Sequence, residues 1–265
     1  MQKNSNFSEY IRITHTESIF LGKEVHFYKN APSTNAIAAE LLSNSRPIEG
    51  TAILTFNQTA GKGQRGNSWV AEPDKNIAIS YLFFPILLPV SKQFLLTQAI
   101  ALGVCDFVRL HIDNVPVSIK WPNDIYVRAK KVAGILIENT ISNGEIKNSI
   151  IGIGINVNQS IFDDKLPNPT SFTLETGKEF NLHQLAAQLS VCLEPYLLAL
   201  KTEKTTSLEK AYLDSLYLYR KPAFFRDSAG NLFQGTISGV APGGKLIVQI
   251  QSEDYLFDIK EISFV

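Results

Sequence analysis

Apolar positions along the chain fall into two rhythms. Alternating or β-branched runs, bounded by Gly, Pro, Asn or Asp, predict strands at HFYK (26–29), GTAILTFNQ (50–58), NIAISYLFF (76–84) and SIKW (118–121). The same pattern marks DIYVR (124–128), VAGILIENT (132–140) and SIIGIGINVN (149–158). Short links after residue 117 predict antiparallel hairpins, with SNGE at 142–145 as a turn. A helical period, opened each time by a residue able to cap free N–H groups, predicts helices from Ser33, Ser91 and Asn181, and a fourth spans about 207–219. Beyond it, short strands separated by SAGN and APGG predict a small all-β barrel. The expected architecture is α+β: a domain at 1–219 with a mixed, largely antiparallel sheet and flanking helices, followed by a β-barrel domain at 220–265.

Composition narrows the function classes. With 265 residues, 45% hydrophobic and 19% charged, the chain can bury a large core. Lys plus Arg number 25, as do Asp plus Glu, so no overall field attracts polyanions and no nucleic-acid partner is expected. Any phosphate binding must come from a local cluster. Cys105 and Cys192 lie in helical patterns without CxxC spacing or a nearby His pair, which predicts two buried free thiols. The N-terminus MQKNSNFSEY lacks an apolar signal core, and the apolar run 77–90 is too short and proline-broken to span a bilayer. A cytoplasmic location without membrane contact is expected.

Residues 61–66, Gly-Lys-Gly-Gln-Arg-Gly, satisfy G-x-G-x-x-G. A dinucleotide fingerprint also needs a helix opening on the glycines and an acid about 20 residues on to hold the ribose. Asn67–Asn76 contains Pro73 and runs into a strand, and YLFFP near position 83 has no carboxylate. A Walker loop fails because Asn67 and Ser68 follow Gly66. What remains is a loop of three glycines, two cations (Lys62 and Arg65) and Trp69. It can bring backbone N–H groups and positive charge to an oxyanion and an aromatic face to a ring, or it is a solvated basic loop.

Three companions weigh on that choice. Lys120-Trp121-Pro122-Asn123-Asp124 between two strands, followed by Lys130-Lys131 and VAGILIE, reads as a turn with solvated lysines or as a charged site. GIGIN, Gly152 to Asn156, places small residues in a central strand, where a ligand or another backbone comes close. Ser33-Thr34-Asn35 is a helix cap or more.

In this order, the four clusters resemble the biotin protein ligase family: Ser-Thr-Asn, Gln-Thr-Ala-Gly-Lys-Gly-x-x-Gly-x-x-Trp, Lys-Trp-Pro-Asn-Asp-x-Tyr with Lys-x-Ala-Gly-Ile-Leu, and Gly-x-Gly-Ile-Asn. The resemblance covers residues 25 to 160 by motif and the region from 220 onward in pattern only. It implies a class II synthetase-like catalytic fold with an SH3-like C-terminal barrel. It also implies a two-step reaction, in which biotin carboxylate attacks the α-phosphorus of ATP, with Mg2+, to give biotinyl-5'-AMP. A lysine of a biotin carboxyl carrier protein domain then attacks that anhydride. Carried over by motif, Ser33, Thr34, Asn35, Gln58, Gly61, Lys62, Gly63, Gly134 and Gly152 would bind biotin, and Gln64, Arg65, Asn67, Trp69, Asn123 and Asn156 would bind ATP or the adenylate.

Lys131 matches the family's essential lysine, and an ammonium between carboxylate and α-phosphate would relieve their repulsion. Asp124 is the candidate for orienting or deprotonating the attacking amine, whose ordinary pKa is about 10.4. The family commonly carries arginine where this chain has Gln64, so either Arg65 swings in or Gln64 binds with a neutral amide. The loop at 61–69 is expected to order on the adenylate.

With about 32 residues before Ser33, an N-terminal DNA-binding domain and repressor activity are not expected. A homodimer through an exposed sheet edge is the family analogy. Rivals are a lipoate or octanoyl enzyme of the same fold, whose Arg-Arg-x-x-Gly-Gly-Gly and Cys-Lys features are missing here, and a non-catalytic nucleotide-binding module.

Overall fold

A computed structural model describes residues 10–15, 17–85, 88–202 and 205–265, with Arg65 described in its backbone alone. The chain opens with β1 (Ile11–Ile13), β2 (Val25–Tyr28), α1 (Thr34–Asn44) and β3 (Ala52–Thr55). It continues through the short pair β4 (Gly61–Lys62) and β5 (Ser68–Trp69) to β6 (Asn76–Phe83) and α2 (Phe94–His111). A meander follows: β7 (Val117–Lys120), β8 (Asp124–Val127), β9 (Lys130–Ser142) and β10 (Glu145–Asn156). Then come α3 (Phe172–Thr176), α4 (Leu182–Lys201) and α5 (Thr206–Asp214). The last strands are β11 (Pro222–Asp227), β12 (Leu232–Val240), β13 (Leu246–Ile250), β14 (Glu253–Phe257) and β15 (Ile262–Phe264).

Eight strands form one sheet in the order β1-β2-β3-β6-β10-β9-β8-β7. Only β2 and β3 run parallel, because α1 carries the chain across between them. The remaining neighbours are antiparallel. The β9–β10 turn takes positive φ at both Asn143 (54°) and Gly144 (78°), the two-residue hairpin turn that SNGE predicts. The segment 77–90, read as too short for a membrane, supplies most of β6, the fully buried centre of the sheet.

Helix starts follow side-chain chemistry at two of three expected places. Ser33 Oγ accepts from Ala36 N (3.5 Å), and Asn181 Oδ1 accepts from Gln184 N (3.1 Å). Ser91 does not cap α2. It sits inside a 3-10 turn, Val90–Lys92, and the α-helix begins at Phe94 without a side-chain cap. The helical stretch Val90–His111 is long and apolar enough to cross a membrane, but its apolar window is 67% buried inside the protein, as a core helix is. Of the two free thiols, Cys105 is buried and Cys192 half-buried, and burial pushes their pKa values up to about 12 and about 11.

The two faces of the sheet do different things. Ile77, Ile79, Ile153, Ile155, Ala133, Ile135 and Ile125 face α2 and α4 and are almost fully buried with them. On the other face α1 covers one corner, where Ile37 and Ala38 pack on Ile53, Leu82 and Ile150. The rest of that face is left for the cleft described below.

The C-terminal strands form a five-stranded antiparallel sheet in the order β14-β13-β12-β11-β15. Its inward side chains Phe225, Ile237, Leu246, Val248 and Ile262 join the same core as α2 and α4. Trp121 Nε1 donates to the Gly244 carbonyl at 2.8 Å, which pins the Trp-Pro turn to the β12–β13 connection.

Candidate functional site

Strand register builds the cleft from two cross-strand rows on the open face. The first row is Ser80 on β6, Gly152 on β10 and Leu136 on β9. The second, two residues along each strand, is Ala78, Gly154, Gly134 and then Asp124 on β8. Three small residues side by side leave a trough. The resulting cleft has a volume of about 230 Å³ and is bordered by α1, the 61–69 hairpin and the Pro122–Asp124 turn.

Over the first row lies the side chain of Asn35, at the start of α1. Its Nδ2 donates to Glu138 Oε2 (2.6 Å) and to the Leu136 carbonyl (3.3 Å), while its Oδ1 lies 2.6 Å from Ser80 Oγ. Ser80 Oγ is 2.7 Å from Thr34 Oγ1. Gln58 Oε1 accepts from Thr34 N at 2.9 Å. A Cβ on Gly152 would collide with Asn35 Oδ1 and Cγ, so this glycine makes room for the asparagine amide. Ser33, Thr34, Asn35, Gln58 and Gly152, all expected at one site, meet here and line the cleft. Gly61 stands behind them, where a Cβ would press on Gln58 Nε2 at 2.6 Å.

Over the second row lie Trp69 and Lys131. A Cβ on Gly154 would come within 2.5 Å of Trp69 Cε2, and one on Gly134 would touch both the Trp69 ring and Lys131 Nζ at 3.2 Å. Lys131 Nζ pairs with Asp124 Oδ1 at 2.6 Å and sits 5.7 Å from the centre of the indole. Trp69 Nε1 is buried and has no hydrogen-bond partner among the described residues.

Lys131 reaches this face through a β-bulge. Strict alternation would put it with Ala133 and Ile135 on the helix side. The register shifts between Ile125 and Tyr126, which pair with Ala133 and Lys131, so Val132 is the extra residue and the parity flips. The backbone of Lys131 is clamped on its other side: its N–H donates to Asn168 O (2.7 Å), and its carbonyl accepts from Thr170 N (2.8 Å). Asn123 ties the turn to β9, with its Nδ2 donating to Ile135 O and its own carbonyl accepting from Ile135 N at 3.1 Å. Behind the turn, Lys120 donates to Tyr126 OH (3.0 Å) and faces the Phe264 ring at 5.1 Å. Burial lowers its pKa against the opposing pull of Asp124, and burial pushes Tyr126 up to about 12.

The 61–69 segment is a small hairpin. Gly61 pairs with Trp69 and Lys62 with Ser68, Gly63 N donates to Asn67 O at 2.7 Å, and residues 64–66 make a 3-10 turn. Lys62, Gly63, Gln64, Asn67 and Trp69 line the cleft. The side chain of Arg65 lies outside the described residues, so Gln64 is the member of that pair whose position is seen. Asn156, expected at the adenylate, does not line the cleft. It is 5% exposed and its Nδ2 donates to the Thr170 carbonyl at 3.0 Å, beneath the 168–170 segment that clamps Lys131. Sequence reasoning also missed Ser80 and Glu138, whose place emerges only when three strands are set in register. A second cavity of about 430 Å³ adjoins the first across Gln64, Asn123 and Ile135 and extends to Gly244 and Lys245 of the C-terminal sheet.

Residues 27–156 match the biotin/lipoate A/B protein ligase family. The chain is 32% identical over 177 residues to the bifunctional ligase/repressor BirA of Bacillus subtilis, covering 66% of this chain and 54% of that protein. It is 26% identical to the biotin--[acetyl-CoA-carboxylase] ligase of Paracoccus denitrificans, over 87% of this chain and 98% of that one. It spans about half the length of several of the curated relatives it matches. Among solved structures, the biotin protein ligase from Aquifex aeolicus in complex with biotin and ATP superposes with a TM-score of 0.73 at 22% identity, covering 91% of this chain and 98% of that one. That likeness is one of fold.

Proposed function

We propose that this chain, whose residues 27–156 match the biotin/lipoate A/B protein ligase family, is an ATP-dependent biotin protein ligase whose second substrate is a biotin carboxyl carrier domain. The observation that carries this reading is one cleft with a closed polar end at Thr34, Asn35 and Gln58 and a lysine beside small residues at the other. A ureido ring needs paired donors and acceptors, which the Thr34 hydroxyl and the Gln58 amide can offer, and an acyl or dithiolane chain would leave these two groups without a ligand partner at a cost of about 1–3 kcal/mol each. That preference favours biotin over the lipoyl or octanoyl rival.

In the first step a biotin carboxylate oxygen forms a bond to the α-phosphorus of ATP, and the bond from that phosphorus to the bridging oxygen breaks, releasing pyrophosphate. The carboxylate is already a nucleophile and requires no base. Lys131, fixed by the bulge and the 168–170 clamp, supplies positive charge between two anions and stabilises the charge that grows at phosphorus. In the second step the carrier lysine nitrogen bonds to the acyl carbon, AMP leaves, and the amine gives up a proton. Asp124, whose Oδ1 meets Lys131, is the base or orienting group. Trp69, Gln64, Asn67 and Asn123 line the side of the cleft where the adenylate would lie.

No three His, Cys, Asp or Glu side chains stand together as a metal site among the described residues, so magnesium would arrive on the nucleotide phosphates and shield the departing pyrophosphate. The repressor activity named for the Bacillus relative stays with that protein. A cytoplasmic location is part of the same reading.

Biotin-dependent exchange of labelled pyrophosphate into ATP tests adenylation, and mass spectrometry of a carrier domain incubated with protein, biotin and ATP tests transfer. Exchange driven by lipoate or octanoate and not by biotin sinks the biotin reading, and adenylate binding without exchange favours the non-catalytic module. A homodimer by sheet extension would use β1, because β7 is already covered by 215–217 through Ile119 N to Ser215 O and Tyr217 N to Ile119 O, both 2.8 Å. Ile11, 65% exposed, is the residue to charge, and Ile11→Lys should shift a dimer to monomer in light scattering.

A further inference from the structure

The last turn of the C-terminal sheet reaches the cleft. Ile259 and Lys260, in the connection between β14 and β15, line it together with residues of the large sheet. The connection is a β-turn closed by Glu261 N, which donates to the Asp258 carbonyl at 3.0 Å. Two acids brace it: Asp258 N donates to Glu261 Oε2 (2.6 Å) and Ile259 N to Asp258 Oδ1 (2.7 Å). Lys260 takes the third position with φ at 76°, in the left-handed region where a type II turn favours glycine. Among the described residues, no other non-glycine with positive φ lines the cleft. A lysine held in a glycine conformation is locally costly, which points to a task for its side chain.

Two contacts hold this sheet beside the cleft: Trp121 Nε1 on the Gly244 carbonyl (2.8 Å) and Lys120 Nζ over the Phe264 ring of β15 (5.1 Å). Ile259 also borders the second cavity, as do Gln64 and Asn123, so the turn stands at the end where the adenylate would lie and not at the Thr34–Asn35 end. The described lining residues carry three ammonium groups, Lys62, Lys131 and Lys260, against one carboxylate, Asp124. A lining of that balance suits a polyanion. Lys131 stands in the trough beside Gly134, whereas Lys260 is exposed at the rim, where a leaving group must pass out.

We infer that Lys260 binds the β- and γ-phosphates of ATP from the C-terminal sheet and neutralises pyrophosphate as it departs. This rests on the adenylation reading above. When the bond from the α-phosphorus to the bridging oxygen breaks, its electron pair goes to pyrophosphate, and an ammonium there stabilises the added charge. The task differs from that of Lys131, which serves the carboxylate and the α-phosphorus, groups that remain in the adenylate.

Lys260→Gly is the test, because it removes the ammonium and suits the backbone. The variant should unfold at the wild-type temperature or slightly above it, while the KM for ATP in biotin-dependent pyrophosphate exchange rises about tenfold. Transfer from preformed biotinyl-5'-AMP to a carrier domain involves no pyrophosphate and should keep the wild-type rate. Lys260→Gln, uncharged and of similar length, should show the same rise and carries the test if the glycine variant does not fold. An unchanged KM for ATP overturns the assignment, and so does an equal loss in both half-reactions, which would make Lys260 a structural residue. If the wild-type protein shows no biotin-driven exchange, the biotin reading falls by itself, and equilibrium binding of ATP and AMP then reads the lysine. Its preference for ATP over AMP should drop about tenfold in Lys260→Gly, and an unchanged preference overturns the assignment.

Discussion

The two ends of the cleft are built on neighbouring rows of the same sheet, yet they are finished differently. At the Asn35 end every polar side-chain atom of the asparagine meets a protein partner, and Gly152 leaves space that the amide fills. At the Lys131 end an indole lies in the trough with its N–H unpartnered, and the lysine and aspartate hold each other while half-exposed. A recognition end can be completed in advance, because the ligand group it meets does not change during reaction. An end that must accept a nucleotide and a moving acyl group keeps contacts that can be exchanged.

The largest expected effect falls on the exchangeable end. Lys131→Ala should lower biotin-dependent pyrophosphate exchange by about 10³-fold while biotin binding to the polar end changes far less. Thermal unfolding should stay within a few degrees of wild type, because a half-exposed ion pair contributes little to stability, about 0–1 kcal/mol. Near-normal exchange by this variant would remove the lysine from the mechanism.

The two glycines of the Gly-x-Gly pair separate the ends directly. Gly152→Ala drives a methyl into Asn35, which three hydrogen bonds hold in place, and should cost about 1–3 kcal/mol of stability in a denaturant titration together with most of the biotin affinity. Gly154→Ala meets Trp69 at the end of a two-residue hairpin, which can swing away. Its loss of stability should be the smaller of the two and its loss of adenylate binding the larger. Equal effects on both readouts would show that the ends are equally rigid.

Much of this was legible in the chain, and what was not has particular causes. The strands around 76–84 and 149–158 and the caps Ser33 and Asn181 are local signals, and they landed within a few residues. Ser80 and Glu138 are ordinary alternating positions in strands, and their partnership needs the registers of β6 and β9 and the placement of α1 at once. Parity read from sequence would send Lys131 to the core face, and only the bulge at Val132 brings it to Asp124. Asn156 has the parity of Gly152 and Gly154, but the 168–170 segment folds over it, a tertiary cover no spacing announces. The strand β1 and helix α3, at three and five residues, are too short for a period to show.

The smallest effect concerns Trp69. Its buried Nε1 without a partner carries a desolvation cost of about 1–3 kcal/mol in the protein as it stands, offset in part by the ring's contact with Gly134 and Gly154. Trp69→Phe removes the N–H and keeps an aromatic face over the trough. The variant should therefore unfold at the same temperature as wild type or slightly above it, a gain of up to about 1 kcal/mol, although it shortens a large side chain. If the indole N–H is held in reserve for the adenylate, the same change should weaken adenylate binding by about tenfold while biotin alone binds as before. The two measurements on one variant then move in opposite directions, as they would where a site keeps an unmet group for its ligand. A variant less stable than wild type and unchanged in adenylate affinity would instead make Trp69 a packing residue, and the contrast between the two ends would rest on Lys131 and Asp124 alone.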